Sequence, residues 1–422
     1  MKFKKIKELL TLNFIVINFL FFVLKSFLKI RKKNNILFYI TKRKYVGSGF
    51  GHNSIILNIM RNRNLNFKDI LIIDFTIGVT SNKYNIFNNF GLKVINFQPF
   101  LKRFNNQFYF KQRKKFINIA SVILKKFGAN VISSLDDFYL GDLKNRKFFF
   151  DNYERNQYLN SHSKILEGKR LYILEVSRAN KDMIEAINSN NFKENNFLKL
   201  DKFENEKIQN RLSLKIDNTK KNILLYRRYK KNDYKCGSPD INYYLKIIDL
   251  INPKFYNIIC VGDFEYDERK QINKIGAISN LDFKNDTIFY IWGCNNSSIC
   301  LLECGGGLSL PLMMGKKSII FNSVALAHLM PNTIILPKNY IKDDLSLSYN
   351  EILINHMGPY HVKGLKLDYT DIGAIKKEFD FLINNPINEY TYKNLDFMNN
   401  KNIKLFKKYN QFISNYWVDK NL

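Results

Sequence analysis

Glycine is scarce in this chain, 19 of 422 residues, yet three stand consecutively at Gly305, Gly306 and Gly307. Cysteine is scarce too, and its five positions (236, 260, 294, 300 and 304) contain no CxxC pair. No histidine lies at ligand spacing from Cys300 and Cys304, so reduced, buried thiols are expected rather than disulfides or zinc. Acidic residues number 37 against 67 Lys and Arg, a formal charge of +30. The lysines are scattered, and zinc-finger and RNP-like signatures are missing, which argues against specific nucleic-acid binding. A basic surface facing anionic lipid head groups or nucleotide phosphates fits the same charge. Neither Asp136-Asp137 nor Asp343-Asp344 has a partner set for a metal. There is no internal repeat.

What is abundant is apolar material. Hydrophobic residues make up 45% and aromatics 15%, which excludes disorder for most of the chain. At 422 residues two domains are the natural expectation.

The start, MKFKKIKELLTLNFIVINFLFFVLKSFLKIRKK, carries an apolar block from Leu9 to Leu24 flanked by basic residues. As a helix it is roughly 24 Å long, short of the ~30 Å hydrocarbon core, and Asn13 and Asn18 interrupt it. No small-residue cleavage site comes after it. Residues 1–34 are therefore expected to form a membrane-associated helix, amphipathic or shallowly anchored, in preference to a full span or to an ordinary buried helix of the globular body. Lys25, Lys29, Arg31, Lys32 and Lys33 would hold the adjoining domain on the cytoplasmic side of a membrane.

From residue 35 short apolar runs alternate with helical patterns. ILFYI (36–40), DILIIDF (69–75) and LKVINF (92–97) read as strands, whereas 136–190 resists assignment. After a helix and polar joint over 201–222 the alternation restarts. NILLYRR, YNIICVGD, SSICLLE and KSIIFN read as strands. PDINYYLKIIDLINP, NDTIFYIWGC and GLSLPLMMG read as helices, and the end, from 396 to 422, as one long helix. Continuous apolar strands separated by helices imply parallel sheets covered on both faces. The expected architecture is α/β: an N-terminal domain over 35–200 and a C-terminal domain over 220–395, with ligands beyond the carboxyl ends of the strands in the cleft between them.

Four constellations bear on chemistry. The triple glycine joins a buried strand to a helix start, where free amides and the helix dipole favour an anion; pure packing would also explain it. It is neither a Walker A loop nor a GxGxxG fingerprint. YVGSGFGHN places Gly47, Gly49 and Gly51 in a loop after the first strand, with His52 at the helix entry. His52 is either a general base or a helix cap and phosphate contact. Arg227 and Arg228 end a strand, where one could clamp a diphosphate and one could equally form a surface ion pair, and alternation admits either. Asn322 at a strand end, with His328 nearby, would overlook the same cleft; a structural histidine explains His328 equally well.

The series YRR…SPDINYY…VGD…NDTIFYIWGC…LLECGGGLSLP…GKKSIIFNSVALAHL, with the earlier GSGFGHNSIILN, resembles a family of bacterial glycosyltransferases of surface-polysaccharide and lipopolysaccharide biosynthesis. The resemblance implies a GT-B fold: two Rossmann-like domains, the C-terminal one holding a nucleotide-sugar donor and the N-terminal one an acceptor. It places Gly305, Gly306, Gly307 and Leu308 around the donor phosphates, with Arg227 or Arg228 and Asn322 beside them. The family's arginine before the DINY-like stretch is replaced by Lys235 and CGSP, and Glu303 stands where relatives have a small polar residue. On this reading a sugar passes from a nucleoside diphosphate to a hydroxyl of a growing glycan, lipid-linked or oligosaccharide, without a metal or other cofactor. The alternatives are a nucleotide-sugar epimerase on the same fold and, remotely, a polyanion-binding protein.

Overall fold

The computed structural model describes residues 35–39, 70–74, 93–96, 122–123, 126, 130–132, 200, 202–212, 215–228, 239–281, 286–323, 331–347, 366–391 and 407–421, with Ile17 and Phe21. The elements fall into two compact units, one holding the strands before residue 150 and the other everything from Leu200 onward.

The first unit contains β1 (Asn35–Tyr39), β2 (Ile70–Asp74), β3 (Lys93–Asn96) and β4 (Asn130–Ile132). They form one parallel sheet in the order β3-β2-β1-β4. The first three are the apolar runs read from sequence. The fourth is only three residues long, too short to stand out as a periodic signal.

The second unit is built on α1 (Lys202–Leu212), β5 (Lys221–Arg227), α2 (Ile241–Ile251), β6 (Tyr256–Gly262), α3 (Tyr266–Lys274) and β7 (Ile278–Ser279). It continues with α4 (Asp286–Asn296), β8 (Ile299–Glu303), a 3-10 turn (Gly306–Leu308), α5 (Ser309–Met313), β9 (Lys317–Ser323) and β10 (Thr333–Pro337). Asp240 caps α2 by accepting the Tyr243 N–H at 3.2 Å, and Pro253 lies just past its end, so both boundaries match the sequence signals. Every residue of β8 and β10 is buried, as parallel strands covered on both faces should be.

A short antiparallel sheet comes next, β11 (Asn339–Lys342), β12 (Leu345–Leu347) and β13 (Lys366–Asp368), in the order β12-β11-β13. Sequence patterning alone does not reveal it. Its β11–β12 hairpin turns through Asp343 and Asp344, both at positive φ. α6 (Ile372–Asn384), β14 (Gln411–Ile413) and α7 (Asn415–Asn421) complete the unit.

The seven-stranded sheet has the order β14-β10-β9-β8-β5-β6-β7, with every pairing parallel. Starting from β5, the chain builds outward through β6 and β7, then crosses back and builds outward the other way through β8, β9 and β10. That is the doubly wound arrangement. α4 packs on β5 and β6, while α6 packs on α2, β9 and β10.

The expected single C-terminal helix is corrected. Asn410 adopts φ 51°, which breaks a helix, and Gln411, Phe412 and Ile413 then pair in parallel with β10. Burial of these three at the sheet edge outweighs the helical spacing of the aromatics around them.

Of the expected anchor only Ile17 and Phe21 are described, both helical and exposed. Among the described residues no helix is long and apolar enough to cross a membrane.

Candidate functional site

In a doubly wound sheet the two chain directions part at one place, and their connections leave a crevice beyond the carboxyl ends of the two strands concerned. Here those strands are β5 and β8. β5 delivers Tyr226, Arg227 and Arg228 to that edge, and β8 delivers Glu303 and the glycine corner.

Strand alternation separates the two arginines. Tyr226 points toward α4, where its ring stacks on Tyr290 at 5.4 Å. Arg227 points to the opposite face. It is 1% exposed, pairs with Glu268 at 2.6 Å, donates to the Pro239 carbonyl at 3.2 Å, and lies over the rings of Tyr244 and Phe264. Buried and committed in this way, Arg227 is a structural residue of the α2–α3 side, which corrects its candidacy as a phosphate clamp. Arg228 returns to the corner. Its side chain lies against Gly305, and its Nη1 donates to the Cys304 carbonyl at 3.3 Å. It is only half-buried, so a five-donor guanidinium faces the strand edge with partial access to solvent.

The glycines are therefore explained by side chains. A Cβ on Gly305 would collide with the stem of Arg228, and a Cβ on Gly307 would collide with the ring of Tyr226. The Gly307 carbonyl accepts the Tyr290 hydroxyl at 2.7 Å, and Leu308 is buried. Room left by the missing Cβ atoms at 305 and 307 is taken by β5, not kept open for a ligand. The Leu308 N–H already donates to the Gly305 carbonyl at 3.3 Å, and Gly307 and Leu308 are buried, whereas Gly305 and Arg228 keep partial access to solvent. Two substitutions separate the two close approaches. Gly307→Ala forces the fixed Tyr226–Tyr290 stack apart and is expected to cost about 1–3 kcal/mol in urea denaturation. Gly305→Ala displaces a flexible arginine stem instead, so the urea midpoint is expected to change little.

Glu303 is the residue that sequence reading undervalues. It is 4% exposed, and one oxygen, Oε2, accepts both the Arg228 backbone N–H at 2.9 Å and the Tyr244 hydroxyl at 2.6 Å. Oε1 faces Asn322 Nδ2 at 3.4 Å. Burial holds its carboxyl above the usual range; the bonds from Tyr244 and the Arg228 amide, and the charge of Lys338, oppose that shift. The available signal is a lone charge closing the apolar strand ICLLE.

Asn322 sits at φ 54°, a left-handed conformation that asparagine tolerates better than most residues. Its N–H donates to Thr370 Oγ1 and its Oδ1 accepts the Thr370 N–H, both at 2.9 Å. Lys338, after β10, is buried with its Nζ 4.6 Å from the centroid of the Tyr369 ring. Arg228, Glu303, Asn322 and Lys338 thus all stand at the carboxyl edge of one sheet.

His52, Gly47, Gly49, Gly51 and His328 lie outside the described residues. Gly306 is placed in the turn with Gly307. Cys260, Cys294 and Cys300 are buried thiols, and burial pushes Cys300 up to about 12, which makes it unreactive at neutral pH. Among the described residues no group of His, Cys, Asp and Glu is arranged to hold a metal ion.

No protein-family model matches the chain, and no curated protein sequence matches it. Several solved structures are similar to it. The ADP-heptose LPS heptosyltransferase II of E. coli is 9% identical, over 72% of this chain and 90% of that one, with a TM-score of 0.40. A glycosyl transferase family 9 protein from Veillonella parvula is 10% identical, over 72% and 87%, with a TM-score of 0.36. The UDP-GlcNAc 2-epimerase from Methanocaldococcus jannaschii is 12% identical, over 89% and 99%, with a TM-score of 0.38. The doubly wound α/β class follows from the strand order β14-β10-β9-β8-β5-β6-β7.

Proposed function

We propose that the chain is a glycosyltransferase whose second unit holds the diphosphate of a nucleotide-sugar at the β5–β8 switch point. The observation that carries this reading is the coincidence of the switch point with Arg228 and the start of the 305–308 turn. In transfer, the bond between the anomeric carbon and the diphosphate oxygen breaks as an acceptor hydroxyl oxygen bonds that carbon. The nucleoside diphosphate departs with the electron pair. Arg228 and the turn amides stabilise the charge that develops on it, the role a metal ion plays in other sites. His52 is the proposed base that takes the acceptor proton. The proposed setting is the cytoplasmic face of the inner membrane, with a lipid-linked or oligosaccharide acceptor.

The test is incubation with UDP-, ADP- and GDP-sugars in EDTA, with and without glycan acceptor extracted from membranes. Release of nucleoside diphosphate that requires the acceptor is the expected outcome. Conversion of the donor sugar without acceptor would replace this reading with an epimerase. No donor turnover, with salt-sensitive binding of duplex DNA, would replace it with a polyanion-binding protein.

A further inference from the structure

Resting on the diphosphate reading above, we infer that Glu303 is a positioning residue that holds Arg228 on the diphosphate and makes donor binding sensitive to pH.

Two contacts tie Arg228 to the end of β8. Glu303 Oε2 takes its backbone N–H at 2.9 Å, and the carbonyl of Cys304, the next residue after Glu303, takes its guanidinium at 3.3 Å. The same carboxyl reaches α2 through Tyr244 and β9 through Asn322, and Asn322 is locked to Thr370 just before α6. The parallel ladders hold the strands together as far as Tyr226–Leu302 and Glu303–Phe321, and at their ends one buried acid ties Arg228, Tyr244 and Asn322 together. Its partners are 75, 59 and 19 residues away in sequence, so the carboxyl links three separate elements just beyond the ladders.

The ionised form is the one this arrangement needs, because three donors converge on two oxygens. A proton on either oxygen turns an acceptor into a donor facing Arg228 and Tyr244, or Asn322, and weakens a charge-assisted bond to an ordinary one. The titratable and charged groups around it are Arg228 and Tyr226 from β5, Tyr243 and Tyr244 from α2, Lys338 after β10 and Tyr369 before α6. The four tyrosines are all held above their ordinary range, chiefly by burial, and stay neutral where a carboxyl titrates. Because the carboxyl's own range is raised by burial, the ionised form is lost as pH falls through a window above that of an ordinary glutamate.

The experiment titrates the full chain with UDP-glucose, ADP-glucose and GDP-glucose between pH 5 and 8 by calorimetry; their diphosphate diesters do not titrate there. Wild-type affinity for whichever sugar nucleotide binds is expected to fall as pH is lowered. Glu303→Gln is expected to bind about tenfold more weakly at pH 8 and to show a flat pH profile, the loss of one charge-assisted bond. Tyr244→Phe removes a bond that favours the ionised carboxyl, so its profile should keep the wild-type shape with the midpoint moved to higher pH. This second variant keeps the test sharp if Glu303→Gln folds poorly. A Glu303→Gln profile that matches wild type, or a Tyr244→Phe midpoint that does not move, overturns the positioning role. Wild-type protein that binds none of the three overturns the diphosphate reading itself.

Discussion

Glu268→Ala is expected to lower the unfolding free energy by about 3–5 kcal/mol, measured by urea denaturation. Arg227 is almost fully buried between Tyr244 and Phe264, and Glu268 is its carboxylate partner at 2.6 Å. Removing the acid leaves an arginine charge inside the unit, and desolvation of that charge dominates the loss. Glu268 also accepts the Glu265 N–H at 2.8 Å as part of the capping box that starts α3. The double variant Arg227→Met/Glu268→Leu removes both charges and keeps an apolar stem between the rings. It should recover most of the stability and stay below wild type by the capping contribution, about 1 kcal/mol. A single variant as stable as wild type would mean the pair is hydrated.

Arg228→Ala is expected to weaken sugar-nucleotide binding about a hundredfold, a loss of roughly 3 kcal/mol for charge-assisted bonds to a diphosphate. Arg228→Lys keeps the charge without the planar fork and should fall between the two. Neither variant should shift the urea midpoint appreciably, because the half-buried side chain rests on Gly305 at the strand edge. The contrast with Arg227 is the informative part. Two adjacent arginines at one strand end give a stability defect on one side of the sheet and a binding defect on the other. Equal binding losses in Arg227→Met and Arg228→Ala would contradict that division.

Strands β5, β6, β8 and β9 are legible because buried parallel strands are short continuous apolar runs bounded by turn residues, and α2 because its capping aspartate and flanking prolines mark both ends. The C-terminal segment is misleading because Tyr409, Phe412, Ile413, Tyr416 and Trp417 recur at helical spacing. Only the vacant edge of β10 makes Gln411–Ile413 a strand. The choice between Arg227 and Arg228 needs the faces of β5, which depend on α2 and α4 rather than on β5 itself. Glu303 is visible as an anomaly and not as a hub, since its partners lie on other elements. The triple glycine does mark a close approach, but at Gly305 and Gly307 the approaching groups are Arg228 and Tyr226.

The most direct test of the central claim is amide hydrogen exchange with and without a saturating sugar nucleotide. Binding at the β5–β8 switch point predicts slowed exchange at Arg228 and across Gly305–Gly307, with the amino-terminal ends of the same strands unchanged. Saturable binding that leaves those amides untouched and protects a different part of the second unit would contradict it.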